Sequence, residues 1–206
     1  MDDVKLNKKL HTLIPIEEYK AIMGVDDRED KLCRFCLVTS TLTIEEYCKR
    51  RLLLKNYFEL FQWTGDLLFI FKEYPVSEIL AVYTMNKEQY FSNNGQILEP
   101  EFYRPMTGCD YKDELPFELL LSASLKRYQL TAIKVLYWAG YEHGSVPADL
   151  SAACLELASW NFNRYKGRRV GISGNIRGSG VQGEHFEMSI PENVKALIEP
   201  YRRKTI

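Results

Sequence analysis

The chain has 206 residues, which suits one domain or one domain with a sizeable insertion. Its formal net charge of -1 argues against a free-standing nucleic-acid binder, because such proteins usually carry a basic excess. The odd number of cysteines, 5, predicts a reducing compartment, and the polar N-terminus lacks the apolar core of a signal peptide. No apolar stretch approaches the roughly 20 residues of a membrane span. We therefore expect a soluble protein that is intracellular when it is made and contacts no membrane.

Two helices are predicted near the N-terminus. Pro15 is tolerated in a first helical turn, the acidic residues after it favour the positive end of the helix dipole, and Gly24 can end this short helix. Asp26 is a favourable N-cap for a second helix, with Glu29 completing a capping box. The apolar spacing that follows predicts that the second helix runs to about Arg50.

The middle of the chain has the composition of strands. Aromatic and β-branched residues alternate there between turn signals, with strands expected over 52–61, 67–71, 79–83, 96–103, 116–121 and 130–137. The strongest hairpin signal is the run Asn93, Asn94 and Gly95. A turn is expected at Ala139 and Gly140.

The last third returns to a helical pattern. Pro147 opens a helix whose apolar residues recur at helical spacing, and the glycine-rich segment 166–185 is predicted to be a flexible loop. Ser189 and Glu192 have the spacing of a capping box for a short helix that ends before Pro200.

Together these elements predict an α+β fold in a single domain. The N- and C-terminal helices, over 14–50 and 146–200, would form a small bundle, and an antiparallel β-sheet and hairpin region would be inserted between them in the sequence at about 51–140. A tail over 200–206 would complete the chain.

Two motifs in the chain match chemical signatures only in part. Cys33 and Cys36 form one C-x-x-C pair, but a tetrahedral zinc site needs four ligands, and both residues fall on one face of the second helix. Residues 178–183 match G-x-G-x-x-G, yet they lack the preceding strand and following helix that a dinucleotide site requires. We therefore expect helix packing for the cysteines, a loop that orders on a partner for 178–183, and neither a metal nor a cofactor.

Catalytic residues are not assigned. The three histidines, His11, His143 and His185, are scattered without ligand spacing. Consecutive carboxylates at 17–18 and at 45–46 point about 100° apart on a helix, which disfavours an acid–base pair. The chain is not expected to be an enzyme.

The C-terminal residues have two interpretations. Pro200, Tyr201, Arg202 and Arg203 can be the start of a solvated, frayed tail. They can equally be a docking segment, because Tyr and Arg are enriched as anchors in protein interfaces.

The order of these segments resembles that of the head–tail connector (adaptor) proteins of tailed bacteriophages. The N-terminal match is a short acidic helix, an Asp-rich turn and a helix ending in a Tyr-x-x-Arg-like stretch; the residues are Glu17, Glu18, Lys20, Asp26, Asp27, Asp30 and Tyr47 to Arg51. The middle matches an insertion found in one branch of the family, around residues 77–83. The C-terminal match runs through 138–141, 146–150, the helix to Arg164, the glycine-rich loop and 191–203. Pro15 departs from the family, which often has a Thr cap there.

The resemblance implies a structural subunit without a cofactor. About a dozen copies would form a ring beneath the portal, join the DNA-filled head to the stopper or tail-completion protein, and line a channel through which DNA passes without sequence-specific binding. The subunit would be found in the virion, and in the host cytoplasm during assembly. Portal docking is expected for Pro200, Tyr201, Arg202 and Arg203.

The loop has a separate expected role in this assembly. Arg168, Arg169, Arg177 and Phe186 are expected to contact a neighbouring subunit or to lie in the mobile loop. Two alternatives stay open: a nucleic-acid-binding module that uses the basic segment 166–177, and an enzyme with an unrecognised site.

Overall fold

The computed structural model describes residues 11–106, 118–167 and 190–203. The chain divides into two compact units: unit 1 comprises Met1–Lys49 with His143–Ile206, and unit 2 comprises Arg50–Glu142. The helices of the described residues are α1 (Ile16–Met23), α2 (Asp30–Cys48), α3 (Lys87–Ser92), α4 (Ala148–Lys166) and α5 (Glu192–Ile198). The strands are β1 (Lys55–Gln62), β2 (Leu68–Ile70), β3 (Val76–Met85), β4 (Gln96–Leu98), β5 (Tyr103–Met106), β6 (Glu118–Leu121) and β7 (Ala132–Ala139).

This content of helices and antiparallel strands confirms the predicted α+β class. That the whole chain acts as a single connector domain stays a prediction. Within the described ranges, no helix is both long enough and apolar enough to cross a membrane.

Unit 1 is built around the pairing of α2 with α4. α1 packs against α2, and α5 packs against α4, so helices from both ends of the sequence share one core. Tyr19 of α1 is fully buried, and its ring meets Phe162 of α4 edge-on at 6.4 Å between centroids. In the same unit, the Nδ2 amide of Asn161 donates to Ser40 Oγ at 3.2 Å in a partly buried hydrogen bond that joins α4 to α2.

The first helix ends as the sequence predicts, but the caps of the later helices differ. Gly24 takes a left-handed conformation at the end of α1, with φ of 62°. The side chain of Asp26 accepts from the backbone N–H of Arg28 at 2.9 Å and caps a 3-10 turn, so α2 begins only at Asp30. α5 is preceded by Pro191, whose side chain makes no capping hydrogen bond, and Ser189 lies outside the described residues.

Unit 2 contains two antiparallel sheets. The larger has the strand order β1-β7-β3-β4, and the smaller has the order β2-β6-β5. The inner faces of both sheets contribute to one hydrophobic cluster, in which Phe71 lies 4.5 Å from Tyr137 and Phe61 lies 4.9 Å from Phe69 between ring centroids. The core of unit 2 is therefore a single cluster of side chains from both sheets.

The predicted hairpin at Asn93, Asn94 and Gly95 is wrong in its detail. β3 and β4 do pair antiparallel, but α3 lies between them, and Asn93 is the left-handed residue that ends α3. The reason is a complete capping box: Asn86 Oδ1 accepts from the Gln89 backbone, and the Gln89 side chain accepts from the Asn86 N–H. This local cap starts a helical turn where the composition suggested a two-residue loop.

The predicted turn at Gly140 depends on the absence of a side chain. Its φ is 104°, and a Cβ there would come within 2.6 Å of the backbone of Leu53. The Gly140 N–H donates to Pro75 O at 2.9 Å. This close approach brings the segment before β1 alongside the end of β7, where Leu53 and Tyr141 form a parallel bridge.

Candidate assembly interface

The predicted docking segment folds back onto α2 within unit 1. Pro200 lies in a 3-10 turn, Glu199–Tyr201, directly after α5 and is exposed. Tyr201 is buried, with 6% of its surface exposed. The backbone N–H of Arg203 donates to Cys48 O, the last residue of α2, at 2.8 Å. The chain up to Arg203 is thus part of the folded unit, and Tyr201 anchors it.

Arg202 is a charged docking candidate, and its side chain faces solvent. The side chain is 53% exposed, and its guanidinium lies 3.6 Å from Glu199 Oε1 and 5.6 Å from the centre of the Tyr47 ring. The Tyr47 hydroxyl donates to the Glu199 carboxylate, and this hydrogen bond raises the pKa of Tyr47. Arg202 therefore presents a positive charge on a surface that this network orders.

An open groove of about 550 Å³ runs beside the same residues. We call it the α2 groove, and the side chains used below are those of Leu42, Glu46, Tyr47, Lys49, Ile190 and Arg202. Leu42 is 44% exposed there, although it lies on a long helix of a folded unit. Unit 1 therefore has an apolar surface that its own described residues leave accessible.

Unit 2 has a second apolar surface, the outer face of its larger sheet. Strand pairing places Phe58 opposite Leu136, and it places Leu60, Lys134, Tyr83 and Ile97 in one row across all four strands. The sheet face, as we call it, consists of Phe58, Leu60, Tyr83, Ile97, Leu136 and Trp138 around Lys134.

Several side chains of the sheet face are strongly exposed. The exposed fraction is 71% for Phe58, 65% for Ile97 and 47% for Leu60. The outward face of a half-buried antiparallel sheet is ordinarily polar, so this contiguous apolar stripe is a candidate interaction surface. Sequence reasoning missed this surface, although the signal is present: residues 57–61 are apolar at both strand parities except at Glu59.

On the inward side of β1, Glu59 forms a buried polar pair with Tyr137 of β7. Tyr137 donates its hydroxyl to Glu59, and the backbone N–H of Lys72 donates to Glu59 Oε1 at 2.8 Å. Burial, with the Glu59 carboxylate adding to it, raises the pKa of Tyr137. Both side chains are enclosed in the core of unit 2, so this pair orders the sheet rather than meeting a substrate.

The two cysteines of the C-x-x-C pair are fully buried in α2. Burial raises the pKa of the Cys36 thiol to about 12 and also raises the pKa of Cys33. Cys154 of α4 is equally buried, with its pKa raised to about 11, and lies 3.7 Å from Thr41 Oγ1. Among the described ranges, no group of three or more His, Cys, Asp or Glu residues is placed to hold a metal. The arrangement is that of helix packing.

The predicted loop residues Arg168, Arg169, Arg177 and Phe186 lie outside the described residues, as does the G-x-G-x-x-G run at 178–183. Lys166, at the end of α4, is described. Its Nζ lies 3.0 Å from Glu29 Oε1 and 5.4 Å from the centre of the Phe162 ring. The first basic side chain of segment 166–177 is therefore engaged within unit 1.

No family model and no curated protein sequence matches the chain. Among solved structures, a chain in the neck of an empty GTA particle computed with C6 symmetry aligns with a TM-score of 0.61 at 16% identity. A chain in the virion of a native gene transfer agent (GTA) particle gives 0.60 at 15%, and one in the neck of a native GTA particle computed with C12 symmetry gives 0.54 at 16%. Each alignment covers 95% of this chain and 92% of the other. The chain therefore has the fold of a component of these phage-like particles.

The raised thiol pKa values predict unreactive cysteines in the folded protein. At pH 8 the thiolate form of Cys33, Cys36 and Cys154 is depleted and the sulfur atoms are enclosed. In a Cys109→Ser variant, a thiol-reactive disulfide reagent should label the native protein slowly and label all four remaining thiols after unfolding in guanidinium. Rapid labelling of two thiols in the native protein would instead indicate an accessible redox pair.

Because Tyr201 is buried and Arg202 is exposed, replacing each of them with alanine should lower the free energy of unfolding by different amounts. Tyr201→Ala should lower the free energy of unfolding by about 3 kcal/mol, because it removes a buried aromatic ring. Arg202→Ala should change the free energy of unfolding by less than about 0.5 kcal/mol, because its ion pair is exposed. Chemical denaturation followed by circular dichroism measures both, and equal losses would contradict the assignment of Tyr201 as the anchor.

Proposed function

We propose that the chain is a structural subunit of the neck of a phage-like particle and acts as a head–tail connector. Several copies form a ring beneath the portal, join the DNA-filled head to the stopper or tail-completion protein, and surround the DNA channel. The role requires no catalytic step and no cofactor. The protein is in the host cytoplasm during assembly and in the virion afterwards.

One observation carries this proposal: the fold match extends over nearly all of both chains. An alignment that covers 95% of this chain and 92% of a chain from a GTA neck includes both units, and not merely a common helical hairpin. At 16% identity the match supports the fold directly and the role by analogy of fold. The sequence resemblance to head–tail connectors was based on different observations, so it adds independent support.

The charge of the chain suits a channel for DNA. The formal net charge is -1, whereas a strongly basic channel would hold phosphate groups through counterion release and retard the DNA. The cyclic symmetry applied to the neighbours' necks suits a ring. We therefore propose that DNA passes through the lumen without sequence-specific contacts.

We propose that the portal contacts the surface around the C-terminal turn. Pro200 and Arg202 are exposed there, while Tyr201 anchors the turn and the Arg203 backbone is bonded to α2. Arg is a frequent interface anchor, because its guanidinium offers a large contact area and directional donors. Arg168, Arg169, Arg177 and Phe186 remain proposed contacts with a neighbouring subunit.

Deletion of the gene for this chain, in a host that produces the particles, tests the proposal. We expect DNA-filled heads and separate tails by electron microscopy, and restoration of joined particles by the wild-type chain. Intact, joined particles in the deletion strain would overturn the proposed function.

Complementation of the same strain by point variants tests the portal surface. Arg202→Ala should lower the yield of joined particles by about tenfold, as for an interface hot spot. The matched control is Arg34→Ala, because Arg34 of α2 is also partly exposed and also lies near a carboxylate one turn away, at 3.9 Å from Asp30. Equal yields from the two variants would assign the portal contact to another surface, and an Arg202→Ala chain that also fails to assemble with itself would assign Arg202 to the contact between subunits instead.

A further inference from the structure

We infer that the sheet face of one copy packs against the α2 groove of the next copy; this inference rests on the proposed function, because it names the contact between subunits of the ring. The sheet face belongs to unit 2 and the α2 groove belongs to unit 1. Each copy would then use two different surfaces, one toward each neighbour.

The sheet face has the composition of an interface core. Its exposed members are aromatic and aliphatic, and Phe58 is the most exposed of them at 71%. Its central cation, Lys134, lies 5.8 Å from the centre of the Phe58 ring and donates to Asn93 Oδ1 at 3.3 Å. Phe58 and Leu136 are cross-strand partners, so they form a continuous ridge and not isolated surface residues.

The α2 groove is an open depression that is large enough for an aromatic side chain. It is concave, holds about 550 Å³, and exposes Leu42 and Ile190 between polar side chains. A groove of this size accepts a protruding aromatic side chain, which buries roughly 150–250 Å². The charged side chains at the groove are already paired, Glu46 with Lys49 at 2.5 Å and Arg202 with Glu199 at 3.6 Å, so the contact would depend on the apolar side chains between them.

The charges disfavour the alternative in which the sheet face pairs with itself. A two-fold contact would bring two Lys134 ammonium groups toward each other in an interface of low dielectric constant, which is unfavourable. In the α2 groove the cations Lys49 and Arg202 are each paired with a carboxylate, Glu46 and Glu199, so a contact between two different surfaces gives Lys134 anionic as well as cationic neighbours. Repeated around an axis, such a contact closes into a ring, whereas a two-fold contact stops at a dimer.

The area of the sheet face also favours a repeated contact over a lone pair. Four strands at about 4.8 Å spacing and three rows of outward residues span at most roughly 14 Å by 14 Å, or about 200 Å² in plan, because β4 contributes only Ile97 to these rows. A stable pair of proteins buries about 800 Å² on each partner. One such contact is therefore weak alone, and it becomes stable when ring closure gives every copy two contacts.

Complementary variants test the pairing of these two surfaces. Phe58→Glu and Leu42→Glu each place a charge on one surface, at side chains that are 71% and 44% exposed, so both should retain the wild-type melting temperature. The matched control is Tyr128→Glu, because Tyr128 is 62% exposed and lies outside both surfaces. Sedimentation across a concentration series measures assembly.

Each variant alone should stay monomeric, while the control should assemble like the wild type. An equal mixture of Phe58→Glu and Leu42→Glu should form dimers at the highest concentrations of the series, and nothing larger, because each such pair retains one intact but weak contact. Assembly of Leu42→Glu at the wild-type level, or a mixture that stays monomeric, would overturn the inference.

Photo-crosslinking locates the contact directly, and it also tests the inference if the purified chain assembles too weakly for sedimentation. A benzophenone amino acid replaces Phe58, and the chain is irradiated at high concentration as an equal mixture of 14N- and 15N-labelled protein. The expected products join position 58 to peptides from 31–51 or 190–203 of the other isotopic copy. Crosslinks confined to one copy, or to any other surface, would overturn the inference.

The outcomes separate this inference from the proposed function. Loss of joined particles on deletion, together with no crosslink between copies, would retain the neck role and reject this contact. The expected crosslink, together with intact particles on deletion, would retain a self-association surface and reject the neck role.

Discussion

Unit 1 depends on the closure of the two ends of the sequence onto each other. The Arg203 N–H bonds to Cys48 O, the Tyr47 hydroxyl bonds to Glu199, and Tyr201 is buried. Closing so long an intervening segment costs chain entropy, and the buried contacts among α2, α4 and α5 must offset that cost. Unit 2, which lies between these ends in the sequence, has a core of its own. The segment that has to be closed is therefore ordered, and its entropic cost of closure is not that of a random coil. The C-terminal turn therefore stabilises unit 1, in addition to the binding role that we propose for it.

Among the described residues, the two units share one departure from ordinary burial: each has an apolar surface that remains accessible. In unit 1 this surface is the groove at Leu42, and in unit 2 it is the sheet around Phe58. Both units bury hydrophobic residues of their own, and neither Leu42 nor Phe58 is among them. Exposed apolar surface raises the risk of aggregation, and a protein that assembles in many copies gives it a use. A subunit with two different surfaces of this kind is suited to a ring.

Much of the fold follows from the sequence. The end of α1 at Gly24, the long α2 and the helix after Pro147 agree with apolar spacing and turn chemistry, because these are local signals. The Asn93-Gly95 hairpin prediction was wrong because a stronger local signal, the cap between Asn86 and Gln89, precedes it.

The candidate surfaces could be predicted only in part. Tyr201 has the composition of a docking residue, yet its burial depends on packing within unit 1, which spacing does not encode. The exposure of Phe58 depends on strand order: a row becomes a surface only when β1, β7, β3 and β4 are neighbours. The richness in aromatic and aliphatic residues identified the strand but not which of its faces the second sheet would cover.

The central claim, that copies of this chain assemble through two different surfaces, is tested most directly by its native mass. Native mass spectrometry of the purified wild-type chain over a concentration series should show growth through odd and even copy numbers toward one closed species of about a dozen copies. Such growth requires a contact that leaves each new copy with a free surface. A mass that stops at the dimer would contradict the account, because that is the result of a surface that pairs with itself.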